Sequence, residues 1–337
     1  AGEEQAVVVN VPIKKNVTTP PSFARPVFMA QAWEKSLRGV STLKIPDDHF
    51  QFLFEAAVRT LVLHSPLDIY PGPYTYKHFW FRDAAMILHA LLCVGLIEKS
   101  ERTLDSFPKR QTVTGYFYSQ NGEWDSNGQV LWIFRRFCEL TGRDPKPEWK
   151  QAILKAARWI HRKRLPKEPE SLHAGLLPAG FSAEHLGPND FYYWDDFWSV
   201  EGFLSAAQLA RVVGEEEDAL KFIHEAEDLM KCIERSLVKA AQRLGTEAMP
   251  ASPHRRLYTG SIGSIAPAYP LQLWSASDPR MLATVNYLLR DCFVHGGFFH
   301  DMNHSGINPD LSLHLAQILL RAEDAVRVAM SSPRKSD

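Results

Sequence analysis

The stretch HFWFRDAAMILHALLCVGL, His78 to Leu96, decides the fold. After the pair Arg82–Asp83 the residues are almost wholly apolar, and a helix that is apolar all round is a buried one. The charged pair precedes that run, with Phe79, Trp80 and Phe81 just before it. Charges at the mouth of an inner helix sit at the edge of a core. They either cap that helix as a buried ion pair or face a ligand.

Outward from this segment the pattern stays helical. Asp47–Asp48 caps a helix running through Phe52, Ala56 and Leu63. A charged helix covers residues 98–109. Ser126 or Asn127 starts another, with Val130, Ile133, Phe134 and Phe137 at helical spacing. Pro147 stands at a helix start, followed by the stripe Ile153, Ala156, Ala157 and Ile160. Phe197, Val200, Leu204 and Ala207 make a further stripe. Residues 215–241 form a long polar helix striped by Leu220, Ile223, Leu229 and Ile233. Asp278–Pro279 opens the next, and Asp310 caps the last, with Leu311, Leu315, Ile318 and Leu319.

The reading gives ten to twelve helices and no internal strand. Helices over 82–96, 197–213 and 310–322 are apolar; those over 98–109 and 215–241 are polar. That alternation predicts two concentric helix layers in an all-α toroid of helical hairpins. Residues 1–25, with Val7–Val9 and Thr/Pro punctuation, read as an extended arm. Residues 26–330 read as one domain, and 331–337 as a tail.

Composition narrows the function classes. The chain has 337 residues, 45% hydrophobic and 23% charged, the balance of a globular enzyme. A net charge of −1 recommends neither a nucleic-acid nor an anionic-membrane partner. No apolar run reaches the length of a membrane span. Cys93, Cys138, Cys232 and Cys292 are scattered, with no CxxC or metal spacing. Buried free thiols and a cytoplasmic location are expected. Oligomeric state is not readable.

The long loops 65–80, 110–125, 165–195 and 292–309 hold most of the Trp, Tyr, His and Gly, and loops of that length carry function. Four clusters stand in them. They are His78 to Asp83, Gly122 to Gln129, Gly180 to Trp198 and His295 to His304. The second holds Trp124 and Asp125, and Asp125 also suits a helix cap. The third holds Glu184, Asp190, Tyr193, Trp194, Asp195 and Asp196. Adjacent Asp195 and Asp196 do not face one site together, so one caps the following helix and the other grips a ligand or a buried Arg. Glu201 is either buried and paired or faces a cavity. The fourth holds His300, Asp301 and His304, with too few further ligands for a metal. Carboxylates among aromatics, without a Ser-His-Asp pattern, point to acetal cleavage. That chemistry needs one protonated carboxyl at the leaving oxygen and one carboxylate for water or for carbon.

These segments carry a resemblance over residues 50–325 to the six-hairpin (α/α)6 glycosidases of the glucoamylase, trehalase and glucosidase type. FWFRDAAMILHALLCVGL is similar to the glucoamylase segment in which Arg and Asp hold the sugar in the −1 subsite. That role carries over to Arg82 and Asp83. EWDSNGQVLW resembles the segment that opens the fourth helix in bacterial members, and YYWDDFW resembles a trehalase signature. The resemblance implies a general acid in the loop before it, at Glu184 or Asp190. It implies a base at Asp301, in GGFFHDMNHSGINPDLSLHLAQILL. Two departures stand out: an Asp replaces the usual Glu at 301, and Ala-Glu-His replaces the usual Trp-Glu at 183–185.

The resemblance implies hydrolysis of an O-glycosidic bond, α-glucosidic, exo-acting and inverting, on an oligosaccharide or glycoside and without a cofactor. Trp80, Trp124, Tyr193 and Trp194 would wall the site; Asp125, Asp195, Asp196, His300 and His304 would contact the substrate. A glycoside phosphorylase, a sugar epimerase or an unsaturated-uronyl hydrolase shares such a toroid. A non-catalytic glycan-binding protein is the alternative of another class.

Overall fold

The computed structural model describes residues 26–72, 75–181, 188–302 and 305–322. Ten α-helices lie in them: α1 (Pro26–Ser36), α2 (Asp48–His64), α3 (Phe81–Cys93), α4 (Ile97–Leu104), α5 (Ser126–Thr141), α6 (Pro147–Lys163), α7 (Tyr193–Val212), α8 (Glu216–Leu244), α9 (Pro279–Asp291) and α10 (Pro309–Arg321). A 3₁₀ helix spans Thr259–Ile265. The expected arm over residues 1–25 and tail over 331–337 lie outside the described residues.

The inner helices α3, α5 and α7 pack side by side in chain order. α4 packs on α3 and α5, α6 on α5 and α7, and α8 on α6 and α7. Sequence explains the sorting. α7 is buried nearly all round, from Tyr193 to Ala210, as a helix without a polar face must be. α8 buries only the stripe Ala219, Phe222, Ala226, Leu229, Ile233, Leu237 and Ala240. Each large apolar side chain buried this way contributes about 1.5–3 kcal/mol.

α5 and α7 approach closely because both carry glycine at the crossing. A Cβ on Gly128 would lie 2.0 Å from the Trp198 carbonyl oxygen, and one on Gly202 would lie 2.7 Å from the Gly128 Cα. Only a residue without a side chain fits there.

Several local expectations need correction. Residues 293–307 form a small antiparallel sheet, ordered β1 (Phe293–Val294), β2 (Gly297–His300) and β3 (Gly306–Ile307). Asn308, not Asp310, caps α10, its side chain accepting from the Leu311 N–H. Asp47 does cap α2, but α2 turns Val58 and Val62 inward. Phe52 and Leu63 lie on the other face, 65% and 64% exposed. On α8 the buried residue is Ala219 rather than Leu220, and on α7 Leu204 is exposed. Of the four free cysteines, Cys232 and Cys292 are buried, Cys138 is half-buried and Cys93 is exposed. No helix among the described residues is long and apolar enough to cross a membrane.

Candidate functional site

The start of α3 is fixed by its aromatic neighbours. Phe81 is buried edge-on against Phe79, Phe107 and Phe117. Its N–H donates to Ser119 Oγ at 2.8 Å. With Phe81 locked inward, Arg82 and Asp83 emerge in the first turn at the rim of the inner helices.

Arg82 reaches the segment that opens α5. Its Nη2 donates to Glu123 Oε1 at 3.1 Å and its Nη1 to Asp125 Oδ2 at 3.4 Å. That segment is held by its own bonds. The Tyr116 hydroxyl donates to the Glu123 carbonyl at 2.7 Å, and the Phe117 N–H donates to Asn127 Oδ1 at 2.8 Å. Asp125 Oδ2 also accepts from Gln129 Nε2 at 3.0 Å and from Trp194 Nε1 at 2.8 Å. Asp125 occupies the N-cap position of α5 without a side-chain capping bond. It serves as the junction of α3, α5 and α7 instead. Gly180 closes the neighbouring loop, where a Cβ would lie 2.4 Å from the Gly122 carbonyl oxygen.

The electrostatics follow from burial. Glu123 is 2% exposed. Desolvation pushes its carboxyl up to about 7 despite Arg82. Burial also raises Asp83, against the opposing pull of Arg82. Asp195 is raised well above the usual carboxylate range by complete burial, then by Asp125 and Asp196. Burial pushes Asp196 up to about 8, although the Leu177 N–H donates to its Oδ1. At neutral pH Glu123 is therefore near its midpoint at the rim, able both to give and to accept a proton.

In front of this group lies a cleft of about 370 Å³, lined by Tyr76, Trp80, Arg82, Asp83, Gln120, Glu123, Phe181, His300 and Asn308. Trp80 stands between two rings, with His78 edge-on at 4.6 Å and Tyr76 at 6.0 Å between centroids. β2 delivers His300, which is 1% exposed by residue yet reaches the cleft wall. Residues 220 positions apart in the chain thus meet at one opening.

Of the expected site residues, Trp80, Arg82, Asp83 and His300 line the cleft. Asp125 and Asp195 lie beneath it, linked to Arg82 by a hydrogen bond and by charge respectively. Asp301 follows His300 and is exposed; the Thr259 hydroxyl donates to its Oδ1 at 2.5 Å. Asp190 is engaged elsewhere, accepting from Arg255 Nε at 2.6 Å. Glu184 and His304 lie outside the described residues.

Three expected walls are packing residues. Trp124 donates through Nε1 to the Ala179 carbonyl at 3.3 Å and lies under Lys163 Nζ, 3.8 Å from the ring centroid. Tyr193 is buried, its hydroxyl 2.8 Å from Ser236 Oγ. Trp194 is spent on Asp125. Neither Asp195 nor Asp196 caps α7; the N-cap position belongs to Tyr192, with no side-chain capping bond. Glu201 is buried and paired with Arg135 at 2.6 Å. Sequence reading places Glu123 and Asp125 on either side of one Trp at a helix entrance, and Phe181 in the third cluster, but assigns neither Glu123 nor Phe181 a role; it does not single out Tyr76, Gln120 or Asn308.

No protein-family model matches the chain, and no curated protein sequence does. Solved structures do match in fold. A wild-type glycosidase superposes with a TM-score of 0.60 at 15% identity, over 86% of this chain and 84% of that one. A variant glycosidase in complex with glucose matches equally. A bacterial glucoamylase complexed with acarbose gives a TM-score of 0.54 at 14% identity, over 76% of this chain and 43% of that one. The chain shares its fold with these solved structures.

Proposed function

We propose that the protein is a glycoside hydrolase that holds a sugar in the cleft before Arg82 and Asp83. The observation that carries this reading is the Arg82–Glu123–Asp125 ion-pair group at the foot of an aromatic-walled cleft. Aromatic faces suit the apolar face of a pyranose, and paired charges suit its hydroxyls. The fold shared with a glucose-bound glycosidase and an acarbose-bound glucoamylase supports the same reading.

The finer reading is an exo-acting, inverting cleavage of an α-glucosidic bond. The buried acids beneath the cleft support a floor that ends the site after one terminal sugar. Glu184, three residues after the cleft residue Phe181, gives its proton to the leaving oxygen. Asp301, next to the cleft residue His300, takes a proton from the water that attacks the anomeric carbon. The C–O bond to the leaving group breaks as the bond to water forms, and the two protons balance. A carboxyl separation of about 6.5–9.5 Å belongs to inversion.

Release of reducing sugar from α- and β-linked gluco- and manno-oligosaccharides, in phosphate-free buffer, tests this. Turnover is expected on α-gluco linkages, with the β-anomer appearing first by NMR. Asp301→Asn and Glu184→Gln should each lower it by about 10²-fold or more, with unchanged melting. Turnover on no linkage by the wild-type protein would sink the hydrolase reading; full turnover by Asp301→Asn would sink that residue's role.

A further inference from the structure

The inner helices have a second end. There His89 of α3, Arg135, Arg136 and Glu139 of α5, Glu201 and Gln208 of α7, and Gln317 and Arg321 of α10 line another cleft, of about 470 Å³. Gln272 completes its wall from a loop, in the left-handed region at φ 57°. Strained backbone of this kind is held where the surrounding structure over-determines it.

Its charges do not cancel. Glu139 accepts from both Arg135 and Arg136 at 2.6 Å, and buried Glu201 accepts from Arg135 at 2.6 Å. Among the described residues three guanidinium groups face two carboxylates, one positive charge in excess. The Arg321 guanidinium lies 4.9 Å from the Tyr269 ring centroid. Burial and Arg136 lower His89 to about 4, so it is neutral, and its Nδ1 has no hydrogen-bond partner among the described residues.

We propose that this second cleft binds a small phosphate monoester. A planar carboxylate is satisfied by one guanidinium fork, whereas a tetrahedral phosphate takes N–H groups from two directions. Arg136 on α5 and Arg321 on α10 supply two such directions. The amides of Gln208, Gln272 and Gln317 are left for the hydroxyls of the ester. The site stands apart from the cleft that holds Arg82 and does not depend on the hydrolase reading.

Calorimetric titration of the whole chain with glucose 6-phosphate, inorganic phosphate and glucose tests it. Glucose 6-phosphate should bind; binding of inorganic phosphate alone would overturn the monoester reading. Arg136→Gln and Arg321→Gln should each weaken that binding about tenfold or more. Tighter binding of the ester than of inorganic phosphate supports the glutamine contacts. Arg321 stands at an exposed helix end, so its variant serves if Arg136→Gln fails to fold. Binding of neither compound, or equal affinity in a folded Arg321→Gln protein, would overturn the proposal.

Discussion

Arg82 holds two buried carboxylates, and removing it leaves Glu123 and Asp125 without their guanidinium. The side chains of these acids are 3% and 0% exposed, against 16% for Arg82. Breaking such a buried arrangement from one side costs about 3–5 kcal/mol. Arg82→Met should therefore lower unfolding free energy by that order in a urea titration near neutral pH. A loss under about 1 kcal/mol would mean that the acids take up protons instead. The placing of Arg82 and Asp83 at the mouth of an inner helix was legible in sequence because they abut an apolar run of helical length, though Arg82 pairs with Glu123 and Asp125 rather than with Asp83. The partnership of Arg82 with Glu123 was not, because 41 positions separate them and only tertiary packing joins them. Tyr193 and Trp194 misled for a related reason. Composition reveals an aromatic cluster, but whether a ring faces a ligand or a neighbouring helix depends on the element opposite.

At the level of elements, the α5–α7 crossing depends on Gly128 and Gly202. Alanine favours a helix interior over glycine by about 1 kcal/mol, so an isolated helix would gain from Gly128→Ala. Here the new methyl group meets the Trp198 carbonyl at 2.0 Å, and neither backbone yields cheaply. Overpacking of this kind costs about 1–3 kcal/mol. Gly128→Ala should lower the melting temperature, and because Asp125 and Trp194 sit at these helix ends it should also weaken sugar binding. A variant as stable as the parent would show that the two helices separate freely. Most helices were legible from their 3.6-residue periodicity. On α2 Phe52 and Leu63 face outward, and on α8 Leu220 does while Leu229 and Ile233 are buried as expected, since each helix carries apolar side chains on more than one face. The strands of residues 293–307 escaped because runs of two to four residues are too short to show alternation.

Across the whole molecule, the alternation of apolar and polar helices announced the layered architecture. The two clefts were less visible, because each draws on several elements far apart in the chain. Burial of two acids shapes the stability of the entire protein. Glu123 and Asp196 hold their protons in the folded state up to about 7 and about 8, but release them near their ordinary values when unfolded. Between those limits the folded state binds more protons than the unfolded one, so stability falls as pH rises, by about 1.4 kcal/mol per unit for each such group. Carboxyls lowered by partners, such as Asp228 and Asp278, act only at more acidic pH. Urea unfolding from about pH 5 to 8 should show the decline, and Asp196→Asn should flatten it. A profile identical in parent and variant would remove Asp196 from this account. Trp80 has one more consequence. Of nine tryptophans it is the one that fronts the Arg82 cleft, half-buried beside His78, while Trp124, Trp132, Trp149, Trp159, Trp194 and Trp198 are buried. The protein thus carries its own optical gauge: emission from Trp80 tracks whatever displaces water at that mouth, with no label attached.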